Sequence, residues 1–167
     1  MRRFLIAVLM LGVFSLSGCS PRLSVHQPVP AVEIPQGGDD VYSMEMDLGR
    51  TSVSCMLAVR RTEYGIRAAG VTWFGMSLFD VEVRGRDISV VSCAGFLERK
   101  PLIRLLGNVL GCIFIDCGRL TCASDALQTS RKGALACAVT RSGGRMQKTT
   151  VRHGLSGIEV SLTPLEK

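Results

Sequence analysis

The sequence predicts an α+β fold in which an antiparallel sheet with one apolar face packs on an apolar helix. Three observations carry this. Apolar and polar residues alternate with period two from Val41 to about Cys93. The period changes to helical spacing after Pro101, and alternation returns after residue 134. Strands that alternate and are joined by short turns form antiparallel meanders with one face turned to the core.

The chain begins with a segment that reads as an address rather than as fold. Arg2 and Arg3 precede the uninterrupted apolar run of residues 4–14 (FLIAVLMLGVF). About 11 residues are too few to span a bilayer, which needs roughly 20, but they suit a secretory signal. Leu16-Ser17-Gly18-Cys19 follows and resembles the bacterial lipobox. The resemblance implies a signal peptide of residues 1–18, cleavage before Cys19, and a diacylglyceryl cysteine carrying palmitate-like chains. Two or three acyl chains anchor a protein stably where one does not. Ser20 in place of Asp implies, by the same resemblance, the periplasmic face of the outer membrane.

Residues 19–40 form the expected lipidated N-terminus and tether. Four of the six prolines lie there, and Gly37-Gly38-Asp39-Asp40 closes it with turn chemistry. An extended Pro-rich chain of this length reaches roughly 60 Å. Residues 41–167 are then the single folded domain.

Each element of that domain has its own signal. In residues 52–61, Val53, Cys55, Leu57 and Val59 share one face. Residues 64–73 place Ile66 and Ala68 opposite Arg67, and Gly70 suggests a bulge that brings Val71 or Trp73 inward. In residues 77–83, Phe79, Val81 and Val83 oppose Asp80 and Glu82. Arg84-Gly85-Arg86-Asp87 is a turn, and residues 88–93 make another strand. Pro101 suits a first helical turn. Leu102, Leu105, Leu106, Val109, Leu110 and Ile113 then recur at helical spacing, broken only by Arg104 and Asn108, so this helix is expected to be largely buried. Residues 116–132 carry no readable period. Strands are expected at 134–140, 146–152 and 157–162.

Composition excludes more than it assigns. Residues 41–167 hold 17 basic and 11 acidic side chains, a surplus that suits anionic headgroups or ordinary solvation. An exported, aromatic-poor chain without a nucleic-acid signature is not expected to bind nucleic acid. His26 lies in the tether and His153 stands alone beside Gly154. No nucleophile elbow, zinc helix or phosphate loop occurs, so no catalytic residue and no cofactor is assigned. Cys112, Cys117 and Cys122 are five apart, unlike zinc knuckles, and no metal is expected. The six cysteines beyond Cys19 are either packing thiols or disulfides. If they oxidise, at least one bridge belongs among Cys112, Cys117, Cys122 and Cys137.

Residues 52–115 resemble the lipoprotein-carrier and receptor family (LolA/LolB), particularly its membrane-anchored receptor. Trp73-Phe74-Gly75-Met76-Ser77-Leu78-Phe79 is similar to that family's strand–turn–strand, and Arg84-Gly85-Arg86-Asp87 to its next turn. Leu102 to Gly111 resembles its leucine-rich helix, and Gly157-Ile158-Glu159-Val160-Ser161-Leu162 its last strand. The resemblance implies an unclosed antiparallel half-barrel, lidded by one or two helices, that binds acyl chains inside without catalysis. Parity within each strand and spacing on the helix then put Leu57, Val59, Ile66, Phe79, Val81, Leu102, Leu105 and Val109 along the expected lipid-binding cleft. The ligand would be an acyl-bearing lipid or lipoprotein. The receptor's exposed apolar loop is not expected here, because the turns are short. The alternative is an envelope scaffold with a filled core that docks a partner protein.

Overall fold

The computed structural model describes residues 28–35, 38–124 and 126–165. The signal, the lipobox and Cys19 lie outside them. Five strands come first: β1 (Asp39–Asp47), β2 (Ser52–Thr62), β3 (Gly65–Val71), β4 (Ser77–Arg84) and β5 (Asp87–Cys93). Helix α1 (Lys100–Phe114) follows. Then come β6 (Thr121–Ser124), β7 (Leu127–Lys132), β8 (Leu135–Ser142), β9 (Arg145–His153) and β10 (Glu159–Pro164).

The ten strands form one antiparallel sheet in the order β5-β4-β3-β2-β1-β10-β9-β8-β7-β6. Two sequential meanders are thus joined at the β1–β10 pair, where Tyr42 faces Pro164 and Asp47 faces Glu159. The sheet does not close, since β5 and β6 are free edges. Helix α1 lies between its two wings, touching β4 and β5 on one side and β8 and β9 on the other. The expected α+β open half-barrel is therefore present, with one helix among the described residues.

One face of the sheet is buried and mostly apolar, with Ser130 and Thr149 as buried polar residues on it. Tyr42, Met44, Met46, Cys55, Leu57, Val59, Ile66 and Ala68 are buried on the first wing, and Leu135, Cys137, Val139, Val151, Val160 and Leu162 on the second. This follows directly from period-two alternation, which turns every second side chain to the same face. The opposite face carries ion pairs. Arg67 donates two hydrogen bonds to Asp80, at 2.9 and 2.6 Å, and Arg84 pairs with Glu82. The guanidinium holds the Asp80 carboxyl below its ordinary value.

Helix α1 presses hardest through its glycines. A Cβ at Gly107 would stand 2.8 Å from the Ile88 side chain on β5, so the missing side chain sets how near the helix approaches. Its last two turns, from Leu106 to Phe114, are buried apart from Asn108. Pro101 in the first turn supplies the expected start.

Three expectations need correction. Residues 28–35 are not free tether: Ala31, Val32 and Ile34 are buried in the core. The Val32 N–H donates to the Ile113 carbonyl at 2.9 Å, the Cys117 N–H donates to Val29 at 2.9 Å, and the Arg141 guanidinium donates to Ala31 at 3.1 Å. The prolines interrupt periodicity, which hid a segment that packs without forming a strand. Residues 116–132, unreadable in sequence, hold β6 and β7, whose side chains are mostly exposed and so carry little alternation. The irregularity at Gly70/Val71 is present, but the extra residue is Leu78 on β4, so β3 keeps its alternation, with Thr72 inward and Trp73 outside.

Candidate functional site

Two places combine exposure or space with unusual chemistry, and they lie at opposite ends of α1. The first is the turn between β3 and β4. The Thr72 N–H donates to the Met76 carbonyl at 2.8 Å, and the Thr72 hydroxyl accepts from the Met76 N–H at 2.9 Å. Gly75 completes the turn at φ 89°, in the left-handed region open to glycine. With Thr72 buried as the pin, the residues between are pushed outward. Trp73 is 54% exposed, Phe74 77% and Met76 58%.

A second turn stands beside it. The Ala94 N–H donates to the Leu78 carbonyl at 2.8 Å, tying residues 94–97 to the start of β4. There Leu97 is buried, while Phe96 points outward at 54% exposure. Isolated exposed apolar residues are ordinary on a soluble surface, but four large ones on adjoining turns mark a contact surface. The expectation that these turns are too short for an exposed apolar residue is therefore corrected. Trp73 and Phe74 both project because the chain leaves the sheet in the turn after Thr72, so neither residue of the doublet faces the core. That doublet was the signal available in the sequence.

The second place is a cavity of about 800 Å³ beside the last turns of α1. Gly111, Cys112, Ile115 and Leu135 contribute to its walls, with Arg86, Lys132 and His153 around it. The Lys132 ammonium pairs with Asp116 at 2.6 Å and also donates to the Asp116 carbonyl at 2.9 Å. The Ser156 N–H donates to His153 Nδ1 at 3.2 Å, and the Ser156 hydroxyl lies 2.8 Å from the same nitrogen. His153, the last residue of β9 and half-buried, is thus tied to the turn that follows it.

Five of the eight expected cleft residues come together on one stretch of sheet. Leu57 pairs with Gly70, Gly70 with Phe79, and Ala68 joins Val59 to Val81, with Ile66 next along β3. All five are buried, as is Val109 on α1, while Leu102 and Leu105 are half-buried against the same core. Within this group Gly70 and the Phe79 ring approach closely: a Cβ on Gly70 would stand 2.5 Å from the ring. None of the eight borders the 800 Å³ cavity.

The described cysteines are all free thiols. Burial pushes the Cys55 thiol up to about 11. Cys55 and Cys93 sit on strands separated by β3 and β4. Among the described residues no group of three or more His, Cys, Asp or Glu is placed to hold a metal ion. No described helix is long and apolar enough to cross a membrane. No protein-family model matches the chain, and no curated protein matches it.

Proposed function

We propose that the protein is a lipoprotein, anchored through acylated Cys19 at the periplasmic face of the outer membrane, that handles an acyl-bearing lipid or lipoprotein without catalysing a reaction. The observation that carries this reading is the projecting apolar tip of Trp73, Phe74 and Met76, with Phe96 beside it. Acyl contact is assigned to that tip rather than to the eight packed residues inside the half-barrel. Aromatic residues held on a pinned turn lose little conformational freedom on meeting an acyl layer, so most of their burial contributes to binding. The surplus of basic side chains adds attraction to anionic headgroups.

Trp73 is the only tryptophan in the chain, so its fluorescence reports on the tip alone. Full-length protein carrying Cys19→Ser, which removes the acylated thiol, should bind phosphatidylethanolamine–phosphatidylglycerol vesicles with a shift of Trp73 emission to shorter wavelength. Phe74→Ser should weaken that partitioning about tenfold or more, the effect of withdrawing one large apolar side chain. A second reading, an envelope scaffold that docks a partner protein, draws on the free edge of β5, where Val90 and Val91 are exposed. Unchanged Trp73 emission with vesicles and with free fatty acid would remove the lipid reading and leave the scaffold.

A further inference from the structure

Helix α1 packs between the wings of the sheet with one face and leaves the other to solvent. On the outer face Lys100, Arg104 and Asn108 recur every four residues and are exposed, while Leu106, Val109, Leu110 and Ile113 are buried on the inner one. From Lys100 to Asn108 this stripe covers about 12 Å of helix. Arg99 is exposed just before it. Arg86, in the turn between β4 and β5, meets the same surface, for it borders a hollow of about 290 Å³ together with Asp87, Arg104 and Asn108.

The charge here is poorly compensated. Glu98 and Asp87 are the acidic side chains beside the stripe, against Arg86, Arg99, Lys100 and Arg104. The first turn of α1 holds no acidic residue. Among the described residues none of these four cations forms an ion pair, whereas Arg60, Arg67 and Arg84 on the sheet each hold a carboxylate. Cations without carboxylate partners keep their attraction for an anionic surface. The stripe also continues the apolar tip. Arg99 follows the exposed Phe96 by three residues, at most about 10 Å of chain. An apolar edge beside a row of cations is the pairing that holds a protein in the plane of a membrane interface.

We propose that the outer stripe of α1, with Arg86, docks on the phosphate headgroups of an anionic bilayer while the tip enters its acyl layer. This rests on the lipid reading of the tip and names the membrane surface it selects. The two contacts answer to different variables. Entry of Trp73 and Phe74 into acyl chains depends little on salt, whereas headgroup attraction is screened over about 8 Å at physiological ionic strength. Each basic side chain at an anionic surface strengthens binding by about fivefold.

The test floats full-length Cys19→Ser protein, in which residues 1–18 are common to every variant, with two kinds of vesicle. One is phosphatidylcholine alone and the other contains phosphatidylglycerol. The unmodified stripe should bind the anionic vesicles more tightly, and high salt should remove that gain. Lys100→Gln combined with Arg104→Gln should cut the gain about tenfold or more, with phosphatidylcholine binding and the Trp73 emission shift unchanged. Lys148→Gln combined with Arg152→Gln removes the same charge from exposed positions on β9 and should leave the gain nearly intact. Arg86→Gln, on a separate turn, should lower it about fivefold and carries the test if the helix variant fails to fold. Equal losses from the α1 and β9 pairs would overturn the proposal in favour of net charge alone. A Trp73 shift with no phosphatidylglycerol gain would overturn it too, leaving the tip reading in place and this face to an acidic protein. Trp73 emission unmoved by either vesicle would remove the tip reading and the proposal together.

Discussion

The two wings of the sheet are built on different principles. The β1–β5 wing buries large aliphatic and aromatic side chains of its own, among them Met44, Leu57, Ile66, Phe79 and Val81. The β6–β10 wing buries Leu135, Val160 and Leu162 but also turns smaller and polar groups inward: Cys137, Thr149 and Ser130. The Thr149 hydroxyl meets the Met146 sulfur at 3.0 Å, whereas the buried Ser130 Oγ makes no well-aligned hydrogen bond. What completes the second wing comes from elsewhere. Ala31 and Val32 of the leading segment cover it, with Arg141 of β8 donating to the Ala31 carbonyl, while α1 packs on both wings. The Tyr42 and Phe114 rings, 5.6 Å apart, join this cover to β1. A strand can therefore present small inward residues when a neighbouring element brings the volume.

The largest expected effect lies in the first wing. Phe79→Ala should lower stability by about 3–5 kcal/mol, since the ring is fully buried and packs over Gly70. Denaturant midpoints measure it, and a loss under about 1 kcal/mol would mean that this wing is not closely packed. Leu57→Phe comes next. In a filled interior the added volume should cost about 1–3 kcal/mol. An unchanged midpoint would reveal spare space among the residues first read as a lipid cleft and return acyl binding to the interior.

Ser130→Ala should have the smallest effect, near zero or slightly stabilising, because the hydroxyl removed is buried and poorly satisfied. A loss of about 1 kcal/mol or more on the same denaturant curve would show that Ser130 Oγ supports the neighbouring thiols. That would sharpen the contrast between wings by giving the second a polar network of its own.

The same division explains what could be read in the residues. Clean alternation in β2 and β4 and helical spacing in α1 arise where an element buries its own large side chains, so those elements stand out in the sequence. Lys100–Phe114 begins one residue before Pro101, the expected start. Where cover is supplied from outside, the pattern thins. β6 and β7 have little inward apolar content, and Ala31, Val32 and Ile34 were hidden among prolines. The tip is hard to read for another reason: a bulge at Gly70 is expected to bring Val71 or Trp73 inward, but β3 keeps its alternation and Thr72 takes the inner position, pinned by its hydrogen bonds to Met76.

The packing of residues 28–35 shortens the leash on which the molecule would hang. Pro28 and Gly85 border the same cavity, at the far end of β4 from the aromatic turn. Eight strand residues separate those ends by about 26 Å. From an acylated Cys19 to Pro28 the chain reaches at most about 30 Å. Standing upright at full stretch, the half-barrel would hold Trp73 more than 50 Å above its own bilayer, aimed at whatever arrives from the opposite side. To touch the membrane that anchors it, the molecule must instead lie over, with β4 running along the lipid surface. Anchored in this way, the molecule would face an opposite surface when upright and its own membrane when lying down, and a single short leash would permit both postures.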